Sequence, residues 1–248
     1  MYLKTPGLVL RTTEYGDTDL MLSVLTPERG LQSFKARGVR RSSSPLKTAC
    51  QLLSYSEFTV FESRGYQTVT EAACLEMFPE LRSDLELLSL GSYFAQAAEL
   101  ISQEDLPDSA VLSLTLNSLY ALCKLKKPQA LVKAAFELRL AVLAGYAPEL
   151  SGGCAVCGDP NPERLNVRTG HLLCASCPEA EGLRLPLTPA MLGAMRYISF
   201  CDAKKLFSFQ MEPTELQALS ELTEAYLQTQ LERGFSALDF YKSLAITQ

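Results

Sequence analysis

Cys154, Cys157, Cys174 and Cys177 make a Cys-x2-Cys, sixteen residues, Cys-x2-Cys array, and four thiolates at that spacing point to a tetrahedral zinc site. Each Cys-x2-Cys turn presents two sulfurs on one side of a tight knuckle, so two knuckles supply four soft ligands. Gly152, Gly153 and Gly158 surround the first knuckle, where a chain bending around an ion needs permissive backbone angles, and Pro178 follows the last ligand. Four protein thiolates close the coordination sphere and leave no position for an activated water, so the Zn2+ expected here is structural. A redox pair, two disulfides and unmetallated thiols are the competing readings. His171, the single histidine, stands three residues before Cys174 and could replace one ligand, although a surface place in a hairpin explains it as well. Cys50, Cys74, Cys123 and Cys201 lie singly in apolar surroundings; they read as small core residues and speak for a reducing compartment.

A second chemistry is carried by charge. The net charge is -5, yet residues 1–50 hold eight Lys and Arg against four Asp and Glu. Within residues 31–50, Lys35, Arg37, Arg40, Arg41 and Lys47 occur without any acidic residue. Cations grouped in this way release counterions from a phosphate backbone, a sequence-independent attraction that weakens with salt. Nucleic acid is the natural anion, and Phe34, Tyr55, Phe58 and Phe61 are aromatics that could stack on its bases, with Phe34 adjoining Lys35. Barrel core is the competing reading for each ring. A further basic cluster, Lys124, Lys126, Lys127, Lys133 and Arg139 opposed by Glu137, reads either as a solvated helix end or as a docking point for an acidic partner.

The elements that must position these residues divide the chain. Up to residue 79, five strand-like runs alternate apolar and polar residues: Gly7 to Thr13, Asp19 to Thr26, Leu31 to Gly38, Leu52 to Ser63 and Tyr66 to Met77. Tyr15-Gly16-Asp17, Pro27-Glu28-Arg29-Gly30 and Arg64-Gly65 break them, and Leu46 to Leu53 could form a short helical turn. Five short strands with that interruption after the third match an OB-fold barrel. From Glu80 the period becomes helical: Leu81 to Ile101, Pro107 to Leu125, Gln129 to Ala144, Pro189 to Phe200, Glu215 to Arg233 and Ala237 to Ile246. The fold class is therefore α+β and multi-domain. An OB-fold DNA-binding domain over 1–79 precedes an all-α domain over 80–248, which carries a four-cysteine zinc-binding insert at 151–186. Neither a signal peptide nor an uninterrupted run of 18 apolar residues is visible, so a cytoplasmic location is expected.

Several short segments, in this order, resemble the bacterial RecO family of DNA-repair and recombination mediators along nearly the whole chain. They are Gly7-Leu8-Val9-Leu10 with Tyr15-Gly16-Asp17 and Asp19; Thr26 with Arg29-Gly30; and Ala36-Arg37-Gly38-Val39-Arg40-Arg41. Phe136-Glu137-Leu138-Arg139, Gly145-Tyr146-Ala147-Pro148, Cys154-Ala155-Val156-Cys157-Gly158 and Lys242-Ser243-Leu244 complete the set. The resemblance implies an OB fold, a helical domain and a zinc module. It implies binding and annealing of single- and double-stranded DNA, and work with RecR, and in many bacteria RecF, to load RecA onto strands coated with single-stranded-DNA-binding protein. On matching positions, Lys35, Arg37, Arg40 and Arg41 would contact DNA. In some members the helical domain docks the acidic tail of single-stranded-DNA-binding protein, which makes Lys124 to Arg139 a candidate receptor. No step is an enzymatic turnover. A zinc-dependent deaminase lacks the His-x-Glu pair that such enzymes need. The alternative from another class is a protein-interaction adaptor with a zinc-stabilised helical domain and no DNA affinity of its own.

Overall fold

The computed structural model describes residues 1–63, 65–177 and 181–245. Arg64 of the expected turn, Pro178 after the last cysteine, residues 179–180 of the expected zinc insert and Ile246 of the expected last helix lie outside the described residues.

β1 (Tyr2–Tyr15) is longer than the expected Gly7 to Thr13 because it serves two neighbours. Tyr2 to Leu8 pair antiparallel with β4 (Tyr55–Ser63), and Leu8 to Tyr15 pair antiparallel with β2 (Asp19–Thr26), with irregular register between Val9 and Arg11. β3 (Gly30–Ala36) runs antiparallel to β2, and β5 (Tyr66–Glu76) is antiparallel to β4 and parallel to β3. The sheet closes as β1-β2-β3-β5-β4, the five-stranded OB-type barrel that the strand count predicts. The two-residue period puts Leu22, Val24, Phe34, Ala36, Phe58 and Val60 inside. Residues 37–54 run as successive turns; one helical turn, Cys50 N–H to the Leu46 carbonyl at 3.0 Å, inserts Leu46 and Cys50 into the same core. Desolvation there pushes the Cys50 thiol up to about 12. Cys74, by contrast, is exposed and Cys201 half-buried, so neither is a core residue. The apolar neighbours that suggested otherwise for Cys74, Ala73 and Leu75, lie on a stretch of β5 that itself faces outward.

Seven α-helices follow among the described residues. α1 (Glu80–Ser83) and α2 (Leu85–Ile101) are separated by Asp84, whose carboxylate accepts the Leu87 N–H at 3.0 Å as the N-cap of α2. Leu90, Tyr93, Phe94, Ala97 and Ala98 bury one stripe of α2 at the i, i+3, i+4 spacing. α3 spans Ser109–Cys123. The chain then leaves this first compact unit for residues 124–234 and returns with Phe235 and α7 (Ser236–Ala245). The Phe235 ring meets Tyr93 edge-on at 5.2 Å, Leu238 is fully buried, and Gln96 bonds to Ser236 and to the Ala237 N–H.

The second unit, Lys124–Gly234, contains α4 (Gln129–Leu143), α5 (Pro189–Phe200) and α6 (Pro213–Leu231). It also holds a small sheet in the order β7-β6-β8, from Leu172–Leu173, Arg164–Asn166 and Arg184–Pro186. The Thr188 hydroxyl caps α5, with Pro189 opening its first turn. Among the described residues no helix is long and apolar enough to cross a membrane.

Candidate metal centre and nucleic-acid interface

The first knuckle forms because Cys154 turns back on itself: its N–H donates to the Asp159 carbonyl at 2.7 Å and its carbonyl accepts from Gly158 at 2.8 Å. Gly153 is required there, since any Cβ would run into the Asp159 carbonyl, and Gly152 and Gly158 sit at φ of 101° and 77°. Cys174 and Cys177 follow β7, which the Ala155 N–H joins to the knuckle through the Leu172 carbonyl at 2.8 Å. The four sulfurs lie within 4.8 Å of one another, and Cys157 and Cys174 Sγ are 3.8 Å apart. A tetrahedral ion with bonds of about 2.3 Å needs sulfurs roughly 3.8 Å apart, whereas a disulfide needs about 2.0 Å. The four cysteines can hold a metal ion, and His171 is not one of the set.

The backbone N–H groups of Cys157 and then Cys174 hold the Cys154 thiol down to about 6, and the Ser176 hydroxyl and Cys177 lower Cys174. Cys177 is pushed up, first by Cys174 and then by Cys157. At Cys157 the Asp159 N–H and then Cys177 work downward, but Cys154, burial and Cys174 together push the thiol up. Four sulfurs this close cannot all be anionic without a cation among them.

The Asp19 carboxylate ties the start of the basic segment to the barrel. Asp19 opens β2; its Oδ1 accepts the Gly38 N–H at 2.8 Å and its Oδ2 pairs with Lys35 at 3.2 Å. The Gly38 bond first, then Lys35, hold Asp19 below the usual carboxylate range. Gly38 takes φ of 63°, which turns the chain so that Arg37, Arg40 and Arg41 all end exposed. The Arg40 N–H donates to the Thr18 carbonyl at 3.0 Å, joining this turn to the β1–β2 hairpin. Lys47 is exposed farther along, its N–H on the Ser44 carbonyl at 3.3 Å.

Two sequence expectations need correction here. The five cations are not all uncompensated: Arg40 pairs with Glu14 at 2.9 Å and Lys35 with Asp19, both acids contributed by strands outside the 31–50 window. Arg37, Arg41 and Lys47 make no ion pair among the described residues. Phe34 is not available for stacking, being fully buried with its ring edge-on to Phe58 at 5.6 Å. β3 alternates, so Phe34 points inward because Lys35 points outward. Phe58 is equally buried, Tyr55 is half-buried, and Phe61 is exposed but lies against Tyr2 at 5.1 Å.

The second basic cluster comes apart in the structure. Lys124 and Lys126 are exposed and Lys127 is half-buried, ahead of α4. Lys133 is buried inside the second unit, 3.0 Å from Glu137 one helical turn on and 2.8 Å from Glu224 of α6. Arg139 turns inward as well, donating to the Ile198 carbonyl at 2.8 Å and the Cys201 carbonyl at 2.7 Å. Both are packing residues, not surface cations, because the helical period carries them onto the face that α5 and α6 cover.

Reading the sequence missed Tyr15 and its partners. Tyr15 ends β1 opposite Asp19 and is 54% exposed, and the Lys35 ammonium lies 4.3 Å from its ring centroid. The hairpin Tyr15-Gly16-Asp17 was visible as a turn; the cross-strand register that brings Lys35 over the ring was not.

The chain matches two family models along its length, one described as Recombination protein O N terminal over residues 1–78 and one as Recombination protein O C terminal over residues 82–239. A protein named DNA repair protein RecO from Acetivibrio thermocellus is 32% identical over 246 residues, covering 98% of this chain and 97% of the relative. Proteins of the same name from Alkaliphilus metalliredigens and Rubrobacter xylanophilus are 28% identical over 247 residues and 33% identical over 200 residues. The first covers 98% of this chain and all of the relative; the second covers 79% and 80%. With the barrel half and the helical half each matched, and two of these relatives aligned almost end to end, the chain belongs to the recombination protein O family.

Proposed function

We propose that this chain is a DNA repair and recombination mediator that binds single- and double-stranded DNA and anneals complementary strands without catalytic turnover. What carries the reading is the outward turn after β3, with Arg37, Arg41 and Lys47 free of ion pairs among the described residues and Lys35 and Arg40 held beside them by Asp19 and Glu14. Two strands repel through their phosphates, and a protein that neutralises them locally lowers the barrier to pairing without reading sequence. With RecR, and with RecF where it takes part, the protein helps load RecA onto strands coated by single-stranded-DNA-binding protein, in the bacterial cytoplasm at the nucleoid. Lys124, Lys126 and Lys127 are the remaining candidates to receive that protein's acidic tail.

In this reading the ion held by Cys154, Cys157, Cys174 and Cys177 is Zn2+, and it supplies folding free energy in place of chemistry. The test is annealing of two complementary labelled oligonucleotides at low and moderate salt, with the Arg37→Ala, Arg40→Ala, Arg41→Ala triple variant alongside. Acceleration by the native protein and its loss in the variant is the expected result. No acceleration at either salt would favour the adaptor reading, in which partner proteins must bind first.

A further inference from the structure

We propose that Tyr15 is the nucleobase-stacking residue of this interface and the source of a preference for unpaired DNA, a proposal that rests on the DNA-binding reading above. The cations alone make no such distinction, because phosphates are present on single strands and duplexes alike. A ring does, since only an unpaired base has a π-face free to lie on it.

Several features mark this ring out. Tyr15 is 54% exposed at the end of β1, and its hydroxyl has no hydrogen-bond partner among the described residues. The Lys35 ammonium, 4.3 Å from the ring centroid, contacts the ring and is itself fixed by Asp19 at 3.2 Å. Asp19 also holds the Gly38 N–H at 2.8 Å, and Arg40 donates to the Asp17 carbonyl at 3.3 Å. Ring, ammonium and arginine turn are thus one assembly, joined through the Asp19 carboxylate and the Asp17 carbonyl. The barrel's other exposed aromatics are set differently. Tyr2 and Phe61 pack on each other at 5.1 Å. Tyr66, at the start of β5, is 76% exposed but has no cation over its ring among the described residues.

The competing explanation is that the ring only supports the Lys35 stem. Binding by the full-length, metal-loaded protein separates the two. A labelled mixed-sequence single strand, its duplex, and a single strand containing 2-aminopurine are the probes, with Tyr15→Leu, Tyr15→Phe and Phe61→Leu as variants. Stacking predicts that Tyr15→Leu lowers the ratio of single-strand to duplex affinity roughly 5- to 150-fold and abolishes quenching of 2-aminopurine, while Tyr15→Phe restores both. The proposal is overturned if Tyr15→Leu weakens strand and duplex equally, if it changes neither, or if Phe61→Leu alone removes the quenching. In those cases loss of binding in the triple arginine variant would leave the DNA-binding reading standing. Native protein that bound neither strand nor duplex would remove both.

Discussion

At the scale of single residues, an ion pair decides how much a cation can give to DNA. Replacing Arg37 or Arg41 by alanine should lower the slope of log affinity against log salt by about one unit each. Arg40→Ala should lower it by less, because Arg40 already spends part of its charge on Glu14. Titration of affinity between low and moderate salt checks both, and an unchanged slope for Arg37→Ala would remove that residue from the interface. Phe34→Ala should instead cost about 3–5 kcal/mol in a denaturant melt, the usual loss for emptying a large core position. Local spacing made the four cysteines legible in the sequence, since a knuckle is formed by residues three apart. Burial of Phe34, Lys133 and Arg139 was not legible, because it depends on which neighbours cover a strand or helix face.

At the scale of elements, the second unit contains a charged group where a hydrophobic contact would be ordinary. Lys133 of α4 lies between Glu137 and Glu224, with the Ser220 carbonyl at 3.1 Å and the Thr223 hydroxyl donating to Glu137 at 2.8 Å. Burial works against the charge on Lys133, yet the two carboxylates outweigh it and raise its pKa; at Glu137, burial prevails over Lys133 and also raises the pKa. Lys133→Met should therefore destabilise the unit by about 3–5 kcal/mol, since it strands two acids. Glu137→Gln should cost less. The pH dependence has a definite sign: the folded protein holds the Glu137 proton more firmly than the unfolded chain, so this group removes stability as pH rises above roughly 4.3 and stops doing so once it ionises in the fold. Urea melts across that range should show the decline flattened in Glu137→Gln. The four-cysteine cluster belongs to the same unit, and if it holds zinc as proposed, Cys154→Ser should lose both metal and thermal stability, read by metal content and melting together. The strand and helix spans were largely readable from periodicity; β1 runs longer because one strand feeds two neighbours, which only barrel closure reveals, and the two- and three-residue strands β6 to β8 are too short to show a period.

At the scale of the whole molecule, the first compact unit is completed by residues far along the chain. Removing everything from Phe235 onward should uncover Tyr93 and the α2 stripe, and so destabilise the unit that contains the barrel. A denaturant melt followed by DNA affinity would show that loss, whereas native-like stability would make α7 dispensable. The expected boundary after residue 79 came from the change of period at Glu80, and periodicity carries no information about where a distant helix returns.

The return of α7 also sets an order of events during synthesis. At about 5–20 residues per second, residues 124–234 occupy the ribosome for roughly 5 to 20 s after Cys123 has been joined. For that interval the α2 stripe waits for its cover while the second unit, whose residues are contiguous, can already close. A ribosome that stalls before Phe235 therefore releases a chain whose later-made unit is complete and whose barrel-bearing unit is not.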